Sequence, residues 1–184
     1  ISLARTVETV VRFDLSGGNV KLELEANEAL WPARADIGQI QQVFSNLAIN
    51  AVQAMPDGGR LRIRMENREI TGSEAIPLKP GKYIRTIIRD EGLGIPKAQL
   101  SQIFDPYYST KPNGSGLGLA TVFSIVNRHG GHIAVDSTPG EGTRFTIHLP
   151  AADTPSPAAN GLRAPVQEPL RPARKARILI MDDE

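Results

Sequence analysis

Two periods of apolar residues alternate along this chain, and each switch between them marks an element boundary. Leu3, Val7, Val10 and Val11 recur every three to four positions, which predicts a helix from Leu3 to Phe13. In "NVKLELEA" the residues Val20, Leu22 and Leu24 alternate with charges, as in a half-buried strand. Asp36 is placed to cap a second helix that runs to Met55, where Pro56 and the following Asp-Gly-Gly stop it. Alternation returns in "RLRIRMEN", with Leu61, Ile63 and Met65 on one face, and "KYIRTIIRD" is a strand that ends on Asp90. Pro96 suits the first turn of a short helix through Ile103. After a glycine-rich loop, a helix from about Leu117 to Arg128 is stopped by Gly130 and Gly131. "HIAVDS" and "TRFTIHLP" close the pattern as two strands joined by a glycine turn. Helices and strands mix without strict βαβ alternation, so the expected class is an α+β two-layer sandwich.

The texture changes near residue 150. Pro150, Pro155, Pro157, Pro165, Pro169 and Pro172 stand among alanines with no apolar period, so 151–176 reads as a semi-extended linker. "RILIMDDE" resumes a buried-strand pattern in 177–184 and ends in acids. We therefore expect one domain over 1–150, a linker, and a strand fragment. The chain starts without Met and stops at Glu184, so we expect a piece of a longer protein.

Composition narrows the function classes. Twenty-one basic against 20 acidic residues leave a net charge of +1, which gives no global field for nucleic acid. There is no cysteine, so disulfides, thiol catalysis and cysteine metal sites are excluded. No apolar run approaches a bilayer span and no signal peptide is visible, so we expect a cytoplasmic domain without direct membrane contact.

Three glycine-rich pieces carry candidate chemistry: "DEGLGI" after a strand, "GSGLGLA" before a helix, and "GEGT" opening the last strand. Glycines let backbone N–H groups approach a ligand, and a helix N-terminus adds positive potential for phosphate. Gly114, Gly116 and Gly118 fit neither a P-loop nor a dinucleotide fingerprint. Asn46, Asn50 and Gln53 lie at i, i+4 and i+7, so they share one face of the second helix. Asparagine is a poor choice for a merely wet helical face. For Gln53 a solvated stripe is the simpler reading, whereas the neutral oxygen of Asn50 suits Mg²⁺ that keeps waters and phosphate oxygens.

In this order "NLAINAVQA", "DEGLGI", "IFDPYYSTK", "GSGLGLA" and "GEGTRFTI" resemble the N, G1, F, G2 and G3 boxes of the sensor histidine kinases. The resemblance covers roughly 1–150. It implies an ATP-binding catalytic domain of the Bergerat type, a mixed, mostly antiparallel sheet covered by helices on one face. It implies that Asn50 holds Mg²⁺ and that Asn46 lies beside the phosphates. Asp90 would accept the adenine amino hydrogen, with Gly92, Gly94 and Ile95 against the purine and Thr143 at the same edge. Lys111 and the backbone of Gly114, Ser115, Gly116, Leu117, Gly118 and Leu119 would bind phosphates as a lid. The implied catalytic set is Asn46, Asn50 and Lys111.

The acceptor histidine of that family lies on a separate, N-terminal dimerisation domain and is followed by an acid. His129, His132 and His148 lack that acid and read as surface histidines. Phe104 reads as a packing residue, Tyr107 and Tyr108 as shaping the lid, and Arg60, Arg62, Arg64 and Arg68 as a wet sheet face. "RILIMDDE" resembles the first strand of a receiver domain, with Asp182 and Asp183 as its acidic pair, which implies a hybrid kinase. Expected partners are ATP, the dimerisation domain, and a receiver domain or response regulator. The fragment is expected to be monomeric and the parent homodimeric, with any membrane anchor elsewhere in the parent. Two alternatives stand beside the kinase: an ATP-hydrolysing clamp or chaperone, whose relatives carry a glutamate at position 46, and a non-catalytic nucleotide-binding module.

Overall fold

The structure, a computed structural model, describes residues 1–72, 76–110 and 114–152. Lys111, the 151–176 linker from residue 153 onward, and the 177–184 strand with Asp182 and Asp183 lie outside the described residues. Three helices, α1 (Leu3–Asp14), α2 (Ile37–Ala54) and α3 (Gly118–Arg128), pack with five strands. These are β1 (Val20–Ala26), β2 (Gly59–Ile70), β3 (Gly81–Asp90), β4 (His132–Thr138) and β5 (Gly142–Pro150). The strands form one sheet in the order β1-β2-β3-β5-β4. Only the β1–β2 ladder is parallel, with α2 in the crossover that a parallel pair requires.

Ladder register sorts side chains between the two faces. Ile63, Ile88 and Phe145 lie opposite one another on successive strands, as do Met65, Thr86, Ile147 and Ile133, and Ile84 and Leu149. All are buried, and the apolar ones belong to one core with Val7 and Val11 of α1, Phe44 and Leu47 of α2, and Val122 and Val126 of α3. The helices therefore cover this face, and each large side chain removed from water contributes about 1.5–3 kcal/mol before entropy is counted. On α2 the buried set Ile40, Val43, Phe44, Leu47, Ala48 and Ala51 follows helical spacing. Asp36 caps α2 as expected, its Oδ1 accepting from the Gln39 N–H at 2.8 Å.

Polar contacts fix both ends of α3 against α2, between its N-cap and its middle. The Asp36 N–H donates to His129 Nε2 at 3.1 Å, while His129 Nδ1 lies 2.8 Å from the Ile125 carbonyl. Donation from Nδ1 leaves Nε2 as the acceptor, which requires the neutral ring. Eleven residues earlier on α3, the Gly118 carbonyl accepts from Asn46 Nδ2 at 3.2 Å.

The opposite sheet face is charged. Arg62 pairs with Glu23 at 2.7 Å and Glu91 at 3.0 Å, Arg60 with the same two acids, and Arg144 with Asp136 at 3.0 Å. Arg64 and Arg85 both reach Glu66. These half-exposed pairs add little stability each.

Two expectations need correction. The helix expected from Pro96 to Ile103 is a 3₁₀ turn over Lys97–Gln99, continued by three-residue turns closed by Gln102 and Asp105 N–H groups. Between Pro96 and Pro106 the segment supplies one buried apolar anchor, Ile103, too little apolar face to repay nucleating an α-helix. Nor is His148 a surface histidine: it is 4% exposed. It lies on an interior strand, in the row Glu66, Arg85, His148, His132, so both neighbouring strands shield it.

Burial, reinforced by the nearby Arg85, His132 and Arg68 charges, lowers the His148 pKa to about 4. The folded state thus holds a neutral ring while the unfolded chain takes up a proton near the ordinary value of 6.5. The His148 contribution should be complete above pH 6.5 and lost progressively towards pH 4, by at most about 3 kcal/mol. Urea unfolding at pH 7 and pH 4.5 of the protein and its His148→Gln variant measures this. The difference between the two stabilities should shift in favour of the variant at low pH.

Candidate functional site

The polar stripe of α2 is the side of that helix not consumed by the core. It faces the loop after β3, the start of α3 and the start of β5 across a cavity of about 630 Å³, a volume typical of small-molecule and cofactor sites. Of the residues predicted from sequence, Asn46, Asn50, Asp90, Gly94, Ile95, Gly114, Ser115, Gly116, Gly118, Leu119 and Thr143 line it. Gly92 and Leu117 do not. Gly92 is packed against Ala54 of α2, and Leu117, at the N-cap of α3, is 42% exposed.

Asp90 is the most constrained of these groups, at 5% exposure. Its Oδ1 accepts from the Gly92 N–H at 2.9 Å and the Thr143 N–H at 3.1 Å. Burial raises its pKa, and these backbone bonds pull the other way by stabilising the anion. Oδ1 is thus engaged twice, and the carboxylate lines the cavity. Behind this acid a hydroxyl pair, Thr143 Oγ1 and Ser137 Oγ, lie 3.0 Å apart, and Ser137 also accepts from the Ile95 N–H at 2.8 Å.

Glycine is required at two points of the wall. Gly94 has φ +71, and a Cβ there would strike the Thr138 carbonyl. Gly116 has φ +67 and lies against the Tyr107 backbone, whose N–H donates to the Gly116 carbonyl at 3.0 Å. Tyr107 itself adopts φ 67, an uncommon conformation for a non-glycine residue. Phe104 packs against Phe123 of α3 with ring centroids 5.3 Å apart, as a packing residue should.

Sequence reasoning undervalued several lining residues. Gln53, read as part of a wet stripe, lines the cavity, as do Ile49, Ile103, Tyr108 and Phe145. Ile49 carried a signal, being an apolar residue between Asn46 and Asn50 and 43% exposed. Ile103 and Phe145 look like any core residue in sequence and reach the site only through tertiary packing.

Comparison with known proteins bears on this arrangement. The family model described as histidine kinase-, DNA gyrase B-, and HSP90-like ATPase matches residues 35–153. Sensor kinase CckA of Brucella abortus is 36% identical over 181 residues, covering 92% of this chain. Sensor histidine kinase ZraS of Escherichia coli O157:H7 is 39% identical over 141 residues, 77% of this chain. The chain spans 19% and 28% of the lengths of these two relatives. Among solved structures, the catalytic domain of histidine kinase ThkA superposes with a TM-score of 0.64 at 27% identity, over 81% of this chain and 90% of that one.

The tight wall at Gly94 gives a direct test. Gly94→Ala combines a strained φ with a backbone collision, whereas Gly140→Ala, at φ +81 with nothing within 4 Å, carries strain alone. Gly140→Ala should cost about 1 kcal/mol and Gly94→Ala clearly more, read as the difference in denaturation midpoints.

Proposed function

We propose, from the premise that this chain belongs to the histidine kinase-, DNA gyrase B- and HSP90-like ATPase family, that it is the ATP-binding catalytic domain of a hybrid sensor histidine kinase. Its reaction is transfer of the ATP γ-phosphoryl group to a histidine of a separate dimerisation domain. One observation carries the choice of kinase over hydrolase. Among the described lining residues Asp90 is the one carboxylate, and its Oδ1 is held by two backbone N–H groups. Position 46 is a neutral amide engaged with the Gly118 carbonyl and cannot take a proton from water. A site without a base beside the helix holds its nucleotide intact for an outside acceptor.

The donor set fits this ligand. Asp90 Oδ2 accepts the adenine amino hydrogen and repels a carbonyl at the same place, which selects against guanine. Gly94 and Ile95 give the purine a backbone wall, and Thr143 meets the adjacent ring edge. The N–H groups of Gly114 to Leu119 and the start of α3 offer positive potential to the phosphates, and Lys111 is assigned to the same task. Asn50 would supply a neutral oxygen to Mg²⁺, and the ion would neutralise charge on the phosphates when bound. The protein's contribution is positioning and electrostatic stabilisation.

None of the three histidines suits the acceptor role. His129 uses both ring nitrogens within the fold, His148 is buried, and His132 has no acid after it. Expected partners are thus a dimerisation domain and, through Asp182 and Asp183, a receiver domain of the same parent. Among the described residues no helix is long and apolar enough to cross a membrane.

Two experiments test the reading. With labelled ATP·Mg²⁺ alone, the chain should bind nucleotide and gain no phosphohistidine; with a cognate dimerisation domain added in trans, phosphohistidine should accumulate on that domain. ATP binding without any transfer would favour the non-catalytic module, and rapid phosphate release without an acceptor would favour the clamp. Separately, Asp90→Asn keeps an Oδ1 for Gly92 and Thr143 but turns a donor towards the amino group of adenine. ATP affinity should fall at least about tenfold by calorimetry while the melting temperature stays within a few degrees.

A further inference from the structure

The two ends of α3 do different work. Gly118 and Leu119, at its start, line the cavity, whereas Ala120 to Arg128 do not. His129 is the C-cap, about 16 Å further along the axis. Its ring joins two helices: Nδ1 donates to the Ile125 carbonyl at 2.8 Å, in the last turn of its own helix, and Nε2 accepts from the Asp36 N–H at 3.1 Å. The Asp36 N–H can only donate, so the ring proton sits on Nδ1. Asp36 is itself well anchored. Its carboxylate caps α2, and just before it the Ala33 N–H donates to the Ile1 carbonyl at 2.9 Å and the Arg34 N–H to the Pro150 carbonyl at 3.0 Å. His129 thus fastens α3 to a segment pinned to the approach to α1 and to the end of β5.

We propose that His129 is a positioning residue for the phosphate end of the site, holding α3 against Asp36 so that the first turn of the helix keeps its aim. The inference rests on the ATP-binding reading above. Val122, Ile125 and Val126 bury one face of α3. Apolar contact is non-directional, so it fixes which face points inward more firmly than where the helix sits along its axis. Directional bonds supply that second constraint, one at each end: Asn46 to the Gly118 carbonyl at 3.2 Å, and Asp36 to His129. The first bond within the helix runs from the Thr121 N–H to the Leu117 carbonyl, so the N–H groups of Gly118, Leu119 and Ala120 have no acceptor inside it. Those are the groups whose aim is lost when the distal bond is cut and the helix shifts. Asp90 and Thr143, bonded to each other on β3 and β5, do not depend on this clip.

The test measures ATP·Mg²⁺ binding by calorimetry and adenosine binding by saturation-transfer NMR, in the full chain and in His129→Gln, His129→Asn and His129→Ala. Glutamine can set its Oε1 where Nε2 stands and accept from Asp36, whereas asparagine reaches only the place of Nδ1. ATP affinity should fall about three- to tenfold in His129→Ala and His129→Asn and stay within about twofold in His129→Gln. Adenosine affinity should change less than about twofold in all three. Ile70→Val, at a buried position of β2 outside the core that holds α3, controls for stability: it should lower the denaturation midpoint and leave ATP affinity unchanged. Equal losses in the Gln and Asn variants, or equal losses for ATP and adenosine, would show that His129 only supports the fold and would overturn the inference. The Gln–Asn contrast is read on ATP alone, so it decides even if His129→Ala does not fold or adenosine binds too weakly to measure. If the unaltered chain binds no ATP, the ATP reading itself fails; if it binds ATP with one affinity across all variants, only the role of His129 fails.

Discussion

A carboxylate that is almost entirely out of water at the end of a central strand sets the terms for everything around it. Removing Asp90 from solvent costs several kcal/mol unless its oxygens are met by donors. The two donors found for Oδ1 come from different parts of the chain: Gly92 in the loop directly after β3, and Thr143 at the start of β5. The loop must therefore turn back on the acid at once, and β5 must enter the sheet in one register. That register puts Thr143 opposite Ser137 and brings the Ile95 N–H onto the Ser137 hydroxyl. One buried acid thus organises this end of the cavity.

The helix α2 carries a different burden. Its apolar face builds the core while its polar face builds the site, so the same rotation about the helix axis satisfies both. Any helical slip that exposed Phe44 or Leu47 would also turn Asn46 and Asn50 out of the cavity. The staples to α3 hold that rotation: neutral His129 at one end, Asn46 to Gly118 at the other. Core stability and site geometry are therefore one quantity along this helix, which is why poor helix formers are tolerated on it.

How much of this is legible in the sequence depends on whether the signal is local. Periodicity placed all three helices and five strands within a few residues, because each buries one face against the same core. Asp90, Asn50 and the glycine pieces drew notice because each stands in a short local motif, although the motifs meet one another only in the folded chain, as Asp90 does Thr143 and Asn46 does Gly118. The short helix after Pro96 was misread because proline at a first turn looks the same before an α-helix and before a 3₁₀ turn. His148 was misread because burial on an interior strand comes from its neighbours on β3 and β4, residues far away in sequence. Ser137 gave no signal for the same reason: a serine in a strand is unremarkable until Ile95, 42 positions earlier, is laid against it.

The chemistry of the site follows from what its amides can and cannot do. Asn46 donates one of its amide N–H groups to the carbonyl of the first residue of α3, so the helix whose N-terminus lines the cavity is tied to the helix whose polar face lines it. A carboxylate at 46 would give up that bond, because it has no N–H to donate and would face the Gly118 carbonyl with like partial charge. It would gain a base, and with it a route to water. The amide makes the opposite exchange: a fixed wall and no base, which is what the proposed transfer to an outside nucleophile needs.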